Sequence, residues 1–291
     1  MEPGFKTRLA ECRVGIIGLG LMGGSIALGL KNACRSISGH DIDPNTIAQA
    51  VDRGIIQRSL DLRGDEVDLV ILAAPVSAIL DWLDRVPQVF SGEFHLIDLG
   101  STKAQIVEGM HLLPDRISPL GGHPMCGKET SGLNVADGDL YRGCLFALTP
   151  LARTHPRTLN IAQELTTTLH ARSLLFDPHE HDRAVAAISH LPYLMATTLV
   201  NAVMHLGEAA AWTLAASGFR DSSRLAASDV IMLLDILRSN RPEVLKALDS
   251  ARLSLQETIE LIEREDWAEL HVKLEAARAK RMWWETVKRN A

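Results

Sequence analysis

The chain is poor in aromatic residues and has no surplus of positive charge. Phe, Trp and Tyr make up 4% of its 291 residues, and the formal net charge at pH 7 is −6. Single-stranded nucleic acid is usually bound by aromatic side chains in basic grooves, and anionic membranes are bound by basic surfaces. The composition therefore predicts that neither nucleic acid nor a membrane surface is a partner.

Cysteine pairs and long apolar runs are also missing. The four cysteines, Cys12, Cys34, Cys126 and Cys144, form no C-x-x-C pair. We interpret them as free thiols of a cytoplasmic protein. No apolar run approaches the roughly 20 residues of a membrane span, and the N-terminal sequence MEPGFKTRLAECR lacks the apolar segment of a signal peptide.

The stretch RVGIIGLGLMGGS, from Arg13 to Ser25, predicts a dinucleotide site. A short apolar run fit for a buried strand is followed by glycines in G-x-G-x-x-G spacing and then by a helix start. Such a loop lets the backbone approach a pyrophosphate at a helix N-terminus. The predicted cofactor-binding residues of this loop are Gly18, Gly20, Leu21, Met22 and Gly23. The alternative is a glycine turn that packs a helix and binds nothing.

Asp41 supports the dinucleotide interpretation. It ends a second short run, Ser36 to His40, and lies 18 residues after Gly23. A carboxylate there accepts hydrogen bonds from ribose hydroxyls and repels a 2′-phosphate, which favours NAD over NADP. Asp43 competes for this role, but Pro44 follows it, so we expect Asp43 to cap the next helix.

Strand-like runs alternate with helical segments up to residue 176. This alternation predicts a doubly wound α/β domain over residues 1–176, with its ligand at the carboxyl ends of the strands. The polar and glycine-containing strand ends are Gly18, Asp41, Ala74-Pro75, Ser101 and His123. Ala74 and Pro75 are therefore added to the cofactor-binding residues.

From about residue 177 only helices are expected, over residues 181–211, 222–239, 242–264 and 267–288. They predict an all-helical second domain at 177–291. Glu269 and Lys273 are four apart in the last helix, in the order that supports a helix. The apolar segment Leu191 to Leu214 is longer than a small domain needs to bury, which suggests a contact between the subunits of a dimer.

Several side chains have the chemistry of a reactive site. His123, in a glycine-bracketed loop, suits a general base that takes a hydroxyl proton, or else a structural histidine. Ser101 either caps a helix or hydrogen-bonds substrate and nicotinamide. Arg224 suits a carboxylate, although it could instead pair with Asp221 at the surface. His190 reads as structural, in a helix that Pro192 interrupts or kinks.

A metal site is not expected. His179 and His181 have the H-x-H spacing of a metal pair, but no third ligand is evident in the sequence.

Five motifs in this order, GLGLMGGS, DLGSTK, GGHPMCGKETSG, SHLPY and SGFRDSSR, resemble the prephenate/arogenate dehydrogenases of tyrosine biosynthesis. The resemblance covers roughly residues 13–240. It implies a Rossmann-type doubly wound sheet domain followed by a helical dimerisation domain, with the active site in the interdomain cleft. It also implies NAD-dependent oxidative decarboxylation by a cytoplasmic homodimer.

The same resemblance implies residue roles. His123 would take the proton of the substrate's ring hydroxyl, and Ser101 would orient that hydroxyl and the nicotinamide. Arg224 would hold a substrate carboxylate. Glu129 and Asp221 would belong to a polar network near the entrance, and His190 and Tyr193 of SHLPY would face the substrate. Many members carry histidine where this chain has Tyr193, which leaves the substrate open.

Three substrates within the family remain: prephenate, which is the primary prediction, arogenate, and 4-amino-4-deoxyprephenate. Outside it, a β-hydroxyacid dehydrogenase or imine reductase shares the strand–helix start. The β-hydroxyacid enzymes, however, usually have a catalytic lysine in the helical domain. In this chain the candidate catalytic residue is instead a histidine in the first domain. A dinucleotide-sensing regulator would bind NADH without turnover.

Overall fold

The computed structural model describes residues 4–128 and 130–289. For residues 288 and 289 it describes the backbone alone. Contacts between residues divide the chain into two compact units, one ending at Arg241 and the other beginning at Pro242. The predicted domain boundary at 176/177 thus lies within the first unit, which contains the whole sheet and the helices up to Ser239.

The first unit is built on one eight-stranded sheet. Its strands are β1 Arg13–Ile17, β2 Ser36–His40, β3 Arg58–Ser59, β4 Leu69–Leu72, β5 Phe94–Asp98, β6 Ile117–Pro124, β7 Leu145–Pro150 and β8 Arg172–Leu175. Their order in the sheet is β3-β2-β1-β4-β5-β6-β7-β8. Every pair is parallel except β6 and β7, which are antiparallel.

Five helices connect these strands: α1 Leu21–Gly29, α2 Pro44–Asp52, α3 Val76–Val89, α4 Ala104–His111 and α5 Pro156–Thr168. The doubly wound α/β prediction is confirmed. No pattern in the sequence indicates β3, because its two residues are too few to show one and both are exposed.

The register of the sheet brings the polar strand ends together. Ile17 is paired with His40 on one side and with Leu72 on the other, and Leu72 is paired with Asp98. The residues that follow these positions therefore lie along one edge of the sheet. All four residues of β4 are buried, because helices cover both faces of a parallel sheet.

Five more helices complete the first unit: α6 Pro178–Val185, α7 Leu191–Leu206, α8 Ala209–Leu214, α9 Ser217–Ser223 and α10 Val230–Ser239. The expected helix over 181–211 is interrupted by a π-turn at Ala186–His190, directly before Pro192. Proline has no backbone N–H to donate to a helical hydrogen bond. The π-turn, and the position of Pro192 in the first turn of α7, accommodate this missing donor. Helix α7 then ends at Gly207, whose φ is +71°.

The single helix expected over 222–239 is wrong from Arg224 to Asp229. A 3₁₀ turn at Arg224–Ala227 separates α9 from α10, and Asp229 caps α10 by accepting a 2.9 Å hydrogen bond from the N–H of Met232. An aspartate at this position supplies a cap that competes with a continuous helix.

Residues from Pro178 to Leu206 form a 29-residue helical stretch with a mean hydropathy of 1.2 in its most apolar window. By length and composition this stretch could cross a membrane. The sequence does not indicate this, because polar residues interrupt its apolar runs. Only 11% of that window is buried within the chain. One such helix is weak support for a membrane protein, since an apolar face that packs on a partner subunit has the same composition.

The second unit consists of most of α11, Arg241–Glu263, and of α12, Trp267–Arg289. Both helices agree with the sequence prediction. Glu269 and Lys273 lie in α12, as their spacing predicts. The ammonium group of Lys273 pairs with Glu257 of α11 at 2.9 Å and also donates to the carbonyl of Ser254. The antiparallel neighbour offers Lys273 an oxygen that the i, i+4 rule does not consider.

Candidate active site

The three glycines of the loop after β1 have different surroundings. Gly18 has a φ of +94°, and a Cβ there would lie 2.3 Å from the carbonyl oxygen of Ala73. A Cβ on Gly23 would lie 1.8 Å from the carbonyl oxygen of Gly18. A Cβ on Gly20, by contrast, would have no heavy atom of the described residues within 4 Å apart from its immediate chain surroundings. Gly18 and Gly23 are thus required by packing, whereas Gly20 leaves open space at the N-terminus of α1 for a pyrophosphate.

The carboxylate of Asp41 lies beside this loop. Its Oδ2 accepts a 2.7 Å hydrogen bond from the N–H of Leu19, and its Oδ1 accepts one of 3.0 Å from the N–H of Asp43. A carboxylate has further acceptor capacity for ribose hydroxyls. Asp43 caps α2 by accepting from the N–H of Asn45 at 3.0 Å, as predicted. The donors and acceptors of the loop fit a dinucleotide.

The remaining cofactor-binding candidates lie at the same edge. Ala74 and Pro75 follow β4, and Pro75 precedes the first residue of α3. Leu21 is buried in the first turn of α1. The carbonyl of Met22 accepts a 2.7 Å hydrogen bond from the hydroxyl of Tyr141, which fixes that turn against the sheet domain.

His123 lies near the end of β6 and is partly exposed. Its Nδ1 is 2.9 Å from Nε2 of His181, and the two rings meet edge to face at an angle of 71°. His181 belongs to α6 and is buried, and its Nδ1 is 2.8 Å from Oδ1 of Asp182. Two histidines and a carboxylate therefore form a continuous chain from β6 into the helical region.

Asp182 also caps α4. Its Oδ1 accepts a 2.7 Å hydrogen bond from the N–H of Lys103, and its Oδ2 accepts one of 2.8 Å from the N–H of Ala104. Ser101 is therefore not the cap of this helix, which removes the alternative role considered for it. Ser101 lies in the turn between β5 and α4, at the sheet edge where β6 carries His123.

A buried ion pair lies directly behind this strand end. Lys103 and Asp98 are both fully buried and paired. The Lys103 ammonium also donates to the carbonyl of Gly122 at 2.7 Å, while Asp98 accepts from the N–H of Gly122 at 3.0 Å. Burial lowers the pKa of Lys103, and the charge of Asp98 opposes that shift. The pair fixes the backbone next to His123.

The electrostatic surroundings keep His123 neutral. Its pKa lies well below the usual value for histidine, because of burial first and then of His181, Lys103 and His190. A neutral imidazole near pH 7 is able to accept a proton. His190 is 2% exposed, and its Nδ1 is 3.4 Å from the side-chain nitrogen of Asn240. Burial lowers the pKa of His190 to about 4.

Two family models match most of the chain. Residues 26–175 match the prephenate dehydrogenase nucleotide-binding domain, and residues 177–276 match the prephenate dehydrogenase dimerization domain. The chain belongs to the prephenate dehydrogenase family. It is accordingly an NAD-dependent dehydrogenase whose sheet domain binds the nucleotide.

Individual relatives agree with the family models. The prephenate dehydrogenase of Lactococcus lactis subsp. cremoris is 35% identical over 269 residues, covering 86% of this chain and 71% of the relative. A crystal structure of prephenate dehydrogenase from A. aeolicus, in complex with hydroxyphenyl propionate and NAD+, superposes with a TM-score of 0.86 at 32% identity. It covers 93% of this chain and 97% of its own. The arogenate dehydrogenase of Synechocystis superposes with a TM-score of 0.80 at 29% identity, covering 94% and 99%.

The residues that the family resemblance places around the substrate lie in several elements. Arg224 begins the 3₁₀ turn that contacts α7, and Tyr193 is half-buried in the first turn of α7. Asp221 lies 3.3 Å from the guanidinium of Arg220, and both are exposed. Glu129 lies outside the described residues. The roles of these four residues, like that of His190, stay predictions.

Sequence reasoning missed the parts that support His123. The sequence singles out His181 only as a candidate metal ligand, and it does not single out Lys103, Asp98, Asp182 or Asn240. The motif DLGSTK, which contains Asp98 and Lys103, could have indicated the buried ion pair, because a lysine five residues after a strand-end aspartate can fold back onto it. Among residues 4–128 and 130–289, no group of three or more His, Cys, Asp or Glu side chains is arranged so that it could hold a metal ion.

Proposed function

We propose that this chain oxidises prephenate to 4-hydroxyphenylpyruvate with NAD, with loss of the ring carboxylate as carbon dioxide. The observation that carries the proposal is His123, a histidine with a strongly lowered pKa at the end of β6, next to the edge that holds the glycine loop. The L. lactis and A. aeolicus relatives, both named prephenate dehydrogenases, support the choice of substrate.

The chain's own residues supply binding and a base. Bound NAD provides the acceptor for the hydride that leaves the ring carbon. His123 accepts the proton of the 4-hydroxyl as that hydride departs. The electron pair left by the departing carboxylate makes the ring aromatic, and the resulting phenolate oxygen takes the proton back from His123. Aromatisation drives the reaction, so positioning and one base are the contributions needed from the protein.

Each of the surrounding residues has a proposed role. Ser101 orients the substrate hydroxyl and the nicotinamide, since Asp182 rather than Ser101 caps α4. Arg224 holds a substrate carboxylate with its planar guanidinium. Tyr193 and His190 lie on the substrate side, and Asp221 and Glu129 contribute a polar network at the entrance.

Asp41 makes NAD the preferred cofactor. Its carboxylate is held at the end of β2 by the N–H groups of Leu19 and Asp43. In that place its negative charge attracts the hydroxyls of an adenosine ribose and repels a 2′-phosphate.

Arogenate is the second candidate substrate. The observation that favours it is the similarity to the Synechocystis arogenate dehydrogenase, together with Tyr193 at a position where many family members have histidine. Prephenate and arogenate differ in a keto or an ammonium group on the side chain. The ammonium group needs an acceptor that a keto group does not.

The proposed assembly is a cytoplasmic homodimer. Support comes from the match of residues 177–276 to a dimerization domain and from apolar side chains that are exposed on the isolated chain. Those in the helical region of the first unit include Ile188, Met204, Leu206, Trp212 and Leu214. A dimer interface would bury such residues, which are otherwise unusual on a protein surface.

The test is reduced-cofactor formation with prephenate and with arogenate, each with NAD and with NADP. The proposal expects turnover of prephenate with NAD at a kcat/KM at least ten times that of the other three combinations. Turnover of arogenate alone would show that arogenate, the second candidate, is the substrate. Absence of turnover with both substrates would contradict the proposed function.

A further inference from the structure

We infer that His181 and Asp182 are positioning residues that fix the tautomer of His123, and that His181 takes up a proton from His123 during turnover. The inference deepens the proposed function and rests on it. It follows from the chain of contacts from Asp182 through His181 to His123.

Asp182 is the fixed end of this chain. Its carboxylate is 2% exposed and accepts hydrogen bonds from two backbone N–H groups, those of Lys103 and Ala104, at the N-terminus of α4. A helix N-terminus stabilises negative charge, and backbone N–H groups only donate. Both carboxylate oxygens of Asp182 are therefore hydrogen-bond acceptors. The 2.8 Å contact with His181 then requires the hydrogen to be on Nδ1 of His181.

The tautomer of His181 determines that of His123. Neutral imidazole has one N–H, so His181 with its hydrogen on Nδ1 presents an unprotonated Nε2. That Nε2 lies 2.9 Å from Nδ1 of His123. The contact is a hydrogen bond only if Nδ1 of His123 carries the hydrogen. The lone pair of His123 is consequently on Nε2, the ring nitrogen that His181 does not engage.

This arrangement prepares His123 as a base and gives the accepted proton a path. In the reaction the substrate O–H bond breaks and an N–H bond forms at Nε2 of His123. The N–H bond at Nδ1 of His123 can then break as one forms at Nε2 of His181. The positive charge thereby moves to His181, where it is adjacent to the Asp182 carboxylate. The pair holds one additional proton, which passes back through His123 to the phenolate oxygen that forms when the carboxylate leaves as carbon dioxide.

The other charged groups nearby make charge on His123 itself unfavourable. The Lys103 ammonium is paired with Asp98 and donates to the carbonyl of Gly122, the residue before His123. His190 is buried next to Asn240, which donates to the backbone carbonyl of Asp182 at 2.8 Å. With these neighbours, a positive charge is more favourable on His181, beside the Asp182 carboxylate, than on His123.

Asp182→Ala tests the chain, because it removes the acceptor that holds the hydrogen of His181 on Nδ1. Without that acceptor, His181 can carry its hydrogen on Nε2 and donate to Nδ1 of His123, which places the hydrogen of His123 on Nε2 and blocks the base. We expect kcat to fall on the order of 100-fold or more, with KM and the NAD dissociation constant changed less than about three-fold. His181→Phe removes the acceptor for His123 and should give a similar fall. His179→Gln, an exposed position on the same helix, is the matched control.

A second readout does not depend on turnover. ¹⁵N NMR of the histidine-labelled wild-type enzyme, assigned with His123→Asn and His181→Phe, reports which ring nitrogens carry hydrogen. We expect both histidines to be protonated on Nδ1, and this pattern to be lost in Asp182→Ala. A His123 protonated on Nε2 in the wild type, or a kcat for Asp182→Ala within three-fold of wild type, would overturn the inference. Failure of the wild type to turn over either substrate would instead overturn the proposed function, since the NMR result stands separately.

Discussion

The carboxylate of Asp41 accepts a 2.7 Å hydrogen bond from the N–H of Leu19, which joins the end of β2 to the glycine loop after β1. The residue proposed to select the cofactor is thus also the residue that orders the loop. A change at Asp41 is therefore expected to affect both NAD affinity and cofactor choice.

Asp41→Asn keeps one acceptor oxygen but removes the charge. We expect about ten-fold weaker NAD binding and a smaller preference for NAD over NADP, because hydrogen bonds to a charged group are worth about 1.5–3 kcal/mol. Dissociation constants for both cofactors measure the effect. Asp43→Asn, in the cap of α2, is the control and should leave the ratio of the two constants unchanged. An unchanged ratio in Asp41→Asn would remove Asp41 from cofactor selection.

Two glycines of the loop should respond differently to alanine. Gly23→Ala places a Cβ against the carbonyl of Gly18 and should lower the free energy of unfolding by roughly 2–5 kcal/mol. Gly20→Ala has open space and a φ of −70°. Its free energy of unfolding should be unchanged or raised by about 0.5 kcal/mol, while NAD binding weakens at least ten-fold. Urea unfolding and NAD titration separate the two effects. A strongly destabilised Gly20→Ala would contradict the space observed at Gly20.

Arg224→Ala should raise the KM for prephenate by ten-fold or more, since a lost charge-assisted contact with a carboxylate costs about 1.5–3 kcal/mol. The KM for NAD should stay within about two-fold. Arg220→Ala is a matched control, because Arg220 is exposed and pairs with the exposed Asp221. Equal KM values for prephenate in Arg224→Ala and Arg220→Ala would assign Arg224 a purely structural role.

The stability of the protein should fall as the pH is lowered from 7 to 5. His95 is fully buried between Thr158 and the carbonyl of Lys6, and burial lowers its pKa to about 4. Since the pKa is lower in the folded state than in the unfolded state, the contribution is complete above the unfolded pKa. It is lost as the pH falls, by about 2 kcal/mol at pH 5.

His95→Gln should remove that part of the pH dependence, because glutamine does not titrate. Urea unfolding at pH 7 and pH 5 gives the two free energies. His111→Gln, exposed at the end of α4, serves as the control. If His95→Gln loses as much stability between the two pH values as the wild type does, the neutral state assigned to His95 is wrong.

The parts of the fold that the sequence predicts are those with local patterns. The glycine loop, the strand that precedes it and the cap at Asp43 each depend on neighbouring residues, and all agree with the structure. The break at Ala186–His190 was indicated only by Pro192, because a π-turn has no composition of its own. The apolar pattern predicts one continuous helix over 222–239, whereas the 3₁₀ turn that begins at Arg224 interrupts it.

The candidate site was predicted less completely, for a physical reason. His123 was identified because its loop has a distinctive sequence. Its partner His181 is 58 residues away, and Asp182 caps a helix that begins 78 residues before it. Such contacts are created by folding, and the neighbouring sequence of an ordinary helix start does not indicate them.

Steady-state turnover of prephenate and NAD by His123→Asn tests the central claim most directly, with NAD affinity measured in parallel. Loss of the base should lower kcat by about 10²–10⁴-fold, while the NAD dissociation constant stays within two-fold of wild type. A kcat within three-fold of wild type would show that His123 does not accept the substrate proton.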